Sequence, residues 1–377
     1  MTTTPYSLTA HLQSEIARQI AAEGGWVGFD RFMAWALYTP GLGYYANASP
    51  KFGLMPHAGP GAAGQLGSDF ATAPEMSPLF GRTLAVQVAQ ALAATQSDEI
   101  WEFGAGSGAL ALQLLDALHA QGHTPRRYTI VDLSGNLRQR QQVTLTKYAG
   151  IVHWASELPA LMRGVVVGNE VLDAMPVKLL VRVAGQWHER GVAPDPIRPG
   201  LIWQDRPTEL RPPVDIDGAH DYLTEVHPQA EAFVRTLADK LEAGAVFLID
   251  YGFPEAEYYH PQRDTGTVMC HRAHRSDPDP LADPGLKDIT AHINFTGIAL
   301  AAQEAGLNVL GYCNQARFLV NCGLLDSLAQ ASLVERVHAQ RLIMEHEMGE
   351  LFKVIGLCKG AVWDAIGFAQ GDRTHRL

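Results

Sequence analysis

Beyond residue 99 short apolar runs and helical periodicities take turns along the chain, and that rhythm constrains the fold more than anything else in the sequence. Glu99-Ile-Trp-Glu-Phe103 reads as a strand, Leu110 to Ala120 as a helix, Tyr128-Thr-Ile-Val131 as a strand and Leu137 to Tyr148 as a helix. Ile151-Val-His153 and Gly164-Val-Val-Val-Gly168 add two strands. Parallel neighbours need a crossover, and a crossover helix buries its apolar stripe on the sheet, so this alternation predicts a doubly wound, Rossmann-like α/β fold. Residues 179–216 break the rhythm with Leu179 to Val183, a Gly185 turn and Trp187 to Val192, which reads as an inserted antiparallel hairpin. A helix from Pro228, a strand at Ala245 to Ile249, a helix from Thr296, a strand at Leu307 to Tyr312 and a last strand at Phe352 to Leu357 complete the pattern.

Ahead of the sheet, Leu12, Ile16 and Ile20 recur at helical spacing until Gly24-Gly25 stop the helix. Residues 41–80 are rich in Gly, Pro and aromatics without periodicity, which suits an active-site lid. At about 150 residues per domain, 377 residues give roughly 2.5 compact units. The expected partition is a helical preface and lid over 1–80, a cofactor-binding core over 81–178, an inserted β-hairpin region over 179–227, and the remainder of the core over 228–377 with a substrate loop at 251–295.

The charge balance, 29 Lys+Arg against 40 Asp+Glu for a net −11, offers no general attraction to nucleic acid or anionic lipid; neither nucleic-acid binding nor membrane insertion is expected. Cysteines at 270, 313, 322 and 358 lack any C-x-x-C spacing and point to a reducing compartment. The first residues carry neither an apolar signal core nor an Arg-rich transit pattern, which leads to the expectation of a cytoplasmic protein. Cys270, His271 and His274 stand close together, but no second ligand group with finger spacing follows, so no metal is expected. Leu328, Leu333, Val337 and Leu342 recur at helical spacing and read as a core or partner-facing helix face.

Chemistry concentrates at predicted strand ends. In Glu102-Phe-Gly-Ala-Gly-Ser-Gly108 the glycines Gly104, Gly106 and Gly108 let backbone approach a ligand, and the helix behind them offers free N–H groups. Gly104, Gly106 and Ala109 also satisfy G-x-G-x-x-A, which would suit a dinucleotide pyrophosphate. Glu102 separates the two readings: a carboxylate there repels a pyrophosphate and suits the sulfonium and ammonium of S-adenosyl-L-methionine (SAM). Asp132, followed by Leu133, falls where an adenosine ribose presents two hydroxyls, a place that NAD enzymes also give to an acid. Trp154 and Ser156 follow the third strand, where they would wall and hydrogen-bond an adenine ring or simply start a helix. The fourth strand ends in Asn169-Glu170-Val-Leu-Asp173-Ala-Met-Pro176, an amide and two carboxylates at the edge where ligands bind in doubly wound sheets.

Taken in order, several runs resemble the MidA family of class I SAM-dependent methyltransferases, whose mitochondrial members include an arginine methyltransferase of complex I assembly. These runs are Gly43-Tyr-Tyr45, Asp69-Phe-Ala-Thr-Ala-Pro-Glu75, Glu102 to Gly108, Asn169 to Pro176, Asp250-Tyr-Gly252, Asp288-Ile-Thr-Ala-His-Ile-Asn-Phe295, Gln315 with Phe318-Leu319, and Phe352-Lys-Val354. Ser68 stands where the family usually has Gly, and Asp132 where it usually has Glu. The resemblance implies SAM as cofactor, with Glu102, Gly104, Gly106, Gly108, Asp132, Leu133, Ser156, Asn169, Thr72 and Pro74 on the cofactor side. It also implies a protein acceptor, with a respiratory complex I subunit as a candidate and a homodimer as an allowed assembly. Glu170 and Asp173 match a guanidinium as paired carboxylates, and Glu75 and His292 join them as catalytic candidates. An NAD(P)-dependent oxidoreductase is disfavoured by Glu102 and by the lack of a Tyr-x-x-x-Lys pair; a non-catalytic assembly factor on the same fold is the other alternative.

Overall fold

The computed structural model describes residues 5–47, 72–132, 135–272 and 275–377. Most of the expected lid segment lies outside the described residues, as does Leu133. The chain forms two compact units. One holds Pro50–Leu172, Glu231–Gly252 and Phe295–Leu377; the other holds Met1–Ser49, Asp173–Ala230 and Phe253–Asn294. Segments adjacent in sequence therefore alternate between units, an arrangement that a partition drawn in chain order does not capture.

The first unit is built on seven strands: β1 (Glu99–Phe103), β2 (Arg127–Val131), β3 (Val152–Ala155), β4 (Met162–Asn169), β5 (Leu241–Phe253), β6 (Asn308–Asn314) and β7 (Phe352–Lys359). They lie side by side in the order β6-β7-β5-β4-β1-β2-β3. All pairings from β3 across to β5 are parallel, and β7 runs antiparallel between β5 and β6. The run Val165-Val-Val167 is fully buried in β4, as a central strand covered on both faces requires. Helices α1 (Pro78–Ala94), α2 (Ala109–Ala120), α3 (Gly135–Thr144), α4 (Pro228–Lys240) and α5 (Phe295–Glu304) accompany the sheet. Ser77 caps α1 by accepting from the Leu79 N–H, Pro78 supplies its first residue, and Leu79, Phe80, Leu84 and Val88 bury its inner face. From β1 the chain steps out to β2 and β3 and then returns across β1 to β4, so strand order reverses between β1 and β4. Ligands of doubly wound sheets bind in the crevice outside the carboxyl ends at such a reversal.

The second unit carries the predicted hairpin. Lys178–Val183 and Gln186–Pro194 pair antiparallel around Ala184 and Gly185, whose φ of 48° and 78° define a tight two-residue turn. Val27–Gly28, Leu201–Pro207 and Tyr222–Val226 extend that sheet. The N-terminal helix spans Pro5–Ala22 and buries Leu12, Ile16 and Ile20. The stretch 251–295, expected as a substrate loop, contains strands Met269–Arg272, Arg275–Asp277 and Asp288–Thr290, which form a small sheet. The charged and half-exposed residues of the first two lack the apolar alternation that announces a strand.

Back in the first unit, the helix Leu333–Ile343 starts at a Ser332–Glu335 capping box and buries Leu342, whereas Leu333 and Val337 face solvent. Among the described residues no helix is long and apolar enough to cross a membrane, and no group of three His, Cys, Asp or Glu could hold a metal ion.

Candidate cofactor site and acceptor-side residues

The carboxyl end of β1 leads into α2 through three glycines whose backbone only glycine adopts without strain: φ is 65° at Gly104, 52° at Gly106 and 86° at Gly108. The loop closes on itself through Gly108 N–H to the Ala105 carbonyl at 2.7 Å, and Gly104 N–H donates to the Val131 carbonyl of β2 at 3.3 Å. The amino end of α2 thus opens at the crevice.

Beneath the loop Glu102 is 2% exposed. Burial pushes its carboxyl up to about 8, the nearby Asp132 charge adds to the rise, and the Tyr128 hydroxyl, donating at 2.7 Å, opposes it. A carboxyl held in that state is complementary to a cation that displaces its proton.

Gln141 of α3 joins the cofactor-side elements. Its Nε2 donates to Asp132 Oδ2 at 2.8 Å and to the Gly106 carbonyl at 3.0 Å, and its Oε1 accepts from Trp154 Nε1 at 2.9 Å. One fully buried amide therefore sets the glycine loop, the acid after β2 and the ring on β3 relative to each other. Sequence reasoning missed Gln141, because a glutamine on a polar helix gives no local signal. Ser156 follows β3 and is exposed.

The segment that begins at Thr72 also reaches the loop. Thr72 precedes the short helix Ala73–Met76, the Pro74 carbonyl accepts from Gln113 Nε2 of α2 at 2.7 Å, and the Ser107 hydroxyl donates to the Glu75 carboxylate. Glu75, Glu102 and the glycine loop are thereby brought together within one unit.

At the carboxyl end of β4, Glu170 adopts φ 53°, a left-handed conformation costly for a residue with a Cβ. Its N–H donates to the Ile249 carbonyl of β5, and the Leu172 N–H donates to Asp250 Oδ2, both at 2.9 Å. Asn169 Nδ2 donates to Glu170 Oε1 at 3.0 Å.

Asp173 and His292 belong to the other unit. The Asp173 carbonyl accepts from Ala291 N–H at 3.0 Å, and Tyr38 donates its hydroxyl to the neighbouring Ala174 carbonyl at 2.8 Å. Tyr45 donates to Asp288 at 2.7 Å and stacks on Tyr38. Burial, followed by the Asp288 and Asp173 charges, pushes both phenols well up. His292 donates its N–H to Thr267 Oγ1 at 3.0 Å, and its carbonyl is bonded to His227 Nε2 at 2.8 Å; burial lowers His227 to about 4.

The crevice in the first unit fits SAM: a glycine cradle, a buried carboxyl suited to a cation, an acid after β2 and an indole at β3 supply the complements of its cationic amino-acid part, ribose and adenine. A doubly wound sheet with this crevice defines a SAM-dependent methyltransferase of class I. The chain belongs to the family described as S-adenosyl-L-methionine-dependent methyltransferases, whose model matches residues 83–313. It is 27% identical to the protein arginine methyltransferase NDUFAF7, mitochondrial, of Danio rerio over 94% of this chain and 88% of that protein. With the Homo sapiens protein of the same name the identity is 26%, over 86% of this chain and 78% of that one. A crystal structure of a COG1565 superfamily member from Burkholderia thailandensis bound to S-adenosyl-homocysteine is 46% identical, covers 100% of both chains and superposes with a TM-score of 0.92.

The curated relatives are mitochondrial by name, which overturns the expectation of a cytoplasmic protein. That expectation rested on the absence of a leader pattern, and an absence fixes no compartment.

Proposed function

We propose that this methyltransferase acts on a protein, at an arginine side-chain nitrogen, and that a respiratory complex I subunit is its acceptor. The observation that carries the reading is Glu170, a carboxylate held in a strained turn at the strand reversal; the names of the curated relatives support it. A guanidinium has a pKa above about 12 and is a poor nucleophile while its charge is delocalised, so a carboxylate bonded to one side localises charge and raises the reactivity of the other nitrogen. SAM supplies the methyl carbon as an electrophile on sulfur. On the cofactor side Glu102 meets the ammonium, Asp132 the ribose hydroxyls and Trp154 the adenine, while Thr72, Pro74, Gly104, Gly106 and Gly108 shape the cradle. Glu75 is tied to that cradle through Ser107. Glu170 serves the acceptor, with its carboxylate taking the proton that the nitrogen sheds.

Glu170→Gln keeps shape and removes charge, so SAM affinity should hold while turnover falls by about 100-fold, as expected when one general-base or charge-localising contact is lost. Tritiated SAM with an extract of cells lacking the protein supplies the assay. Label on lysine, on nucleic acid or on a small molecule would overturn the arginine reading while leaving the methyltransferase class intact.

A further inference from the structure

Asn169 Oδ1 lies at the carboxyl end of β4, is buried, and has no hydrogen-bond partner among the described residues; the residue as a whole is 8% exposed. Buried amide oxygens are almost always paired, so an orphan at a ligand crevice marks a place for a donor that arrives with a ligand. The amide cannot turn to relieve itself without losing a bond, because its Nδ2 donates to Glu170 Oε1. Glu170 in turn is held at φ 53° by its N–H bond to the Ile249 carbonyl. The same turn is fixed one step further on, where Asp250, fully buried, accepts Leu172 N–H at Oδ2 and Tyr251 N–H at Oδ1. A backbone strain kept by this many bonds points to a geometry that function needs.

Resting on the acceptor assignment above, and in place of the cofactor-side role expected for Asn169 from the sequence, we propose that Asn169 Oδ1 receives an N–H of the reacting nitrogen, that Glu170 orients the amide as well as attracting the cation, and that Asp250 is a positioning residue which locks the turn. A neutral amide oxygen suits this task. It accepts one N–H and so turns the nitrogen toward its partner, yet it adds no charge that would hold the guanidinium proton more tightly. The SAM ammonium offers the same N–H chemistry, but the buried carboxyl of Glu102 is the better complement for a full positive charge.

Two variants separate these donors. Asn169→Ala removes the oxygen; Asp250→Asn keeps size and weakens the lock. Methyl transfer from tritiated SAM to an extract of cells lacking the protein gives kcat and the apparent KM for acceptor, equilibrium dialysis gives the SAM Kd, and circular dichroism confirms the fold. For Asn169→Ala the expected result is a kcat lower by about 100-fold with the SAM Kd within about twofold of wild type, and for Asp250→Asn a kcat lower by about tenfold with the same unchanged Kd. A SAM Kd weakened tenfold or more with kcat preserved would assign the oxygen to the cofactor and overturn the proposal, as would two fully active variants. Should Asn169→Ala fail to fold, Asn169→Ser, which keeps a shorter polar side chain, provides the same split. Mass spectrometry of the wild-type product reads the arginine assignment separately: methylation elsewhere refutes that reading, while the split between kcat and Kd still decides the role of Asn169.

Discussion

Two residues on the cofactor side make the account measurable. Gly106 at φ 52° lies between the Ala105 and Ser107 bonds of the loop, so Gly106→Val adds backbone strain and puts methyl groups where the ligand approaches. The sheet should fold, and stabilisation by SAM in a thermal melt should vanish; equal stabilisation of both proteins would sink the cradle. Glu102, pushed up to about 8 by burial, carries a proton at neutral pH until a cation arrives. Calorimetry at pH 7 in phosphate and in Tris should therefore differ by the heat of up to about one proton released per SAM bound, and Glu102→Gln should erase the difference. The sign for folding follows from the same shift. A carboxyl that binds its proton more tightly folded than unfolded contributes its full stability below its ordinary 4.5 and loses it as pH rises toward 8.

The hairpin offers a test independent of chemistry. Ala184 sits at φ 48° in a turn whose first position favours Asn, so Ala184→Asn should stabilise by about 0.5–1 kcal/mol, read as a raised Tm with unchanged turnover. This turn was legible in the sequence because Gly185 follows the apolar run Leu179-Leu-Val181. The central strands were legible for the same kind of reason: Val165-Val-Val167 and Ile100-Trp101 are apolar runs bounded by glycine or charge. The small sheet around Met269–Arg272 was not, since half-exposed strands with His271 and Arg272 carry no period of two that stands out from a loop. Within the site, the glycine loop and the acids at strand ends announce themselves by position. Gln141 and the Asp250 lock do not, because their meaning lies in partners that only the strand order brings near. The helix face through Leu333 and Val337 shows the converse: apolar spacing was readable, but its direction, outward to solvent, was not.

Taken over the whole chain, all four cysteines are buried and free of disulfides. Burial pushes the thiols up, to about 12 at Cys270 and Cys322 and about 11 at Cys358. The native protein should accordingly resist a thiol reagent at pH 8 and yield four reactive groups in denaturant; rapid native labelling would contradict the packing. The two-unit division leaves Glu75, Glu102 and Glu170 on one body and Asp173 and His292 on the other. Loss of turnover without loss of SAM binding in Asp173→Asn would support the catalytic role expected of Asp173 from the sequence, whereas a fully active variant would remove Asp173 from the set. The central claim, methyl transfer to a protein arginine, is tested most directly by incubating the purified chain and heavy-methyl SAM with protein from cells lacking it, then sequencing labelled peptides by mass spectrometry. The account predicts heavy methyl groups on arginine nitrogen, absent with Gly106→Val; labelled peptides carrying the methyl on any other residue, or none at all, would contradict it.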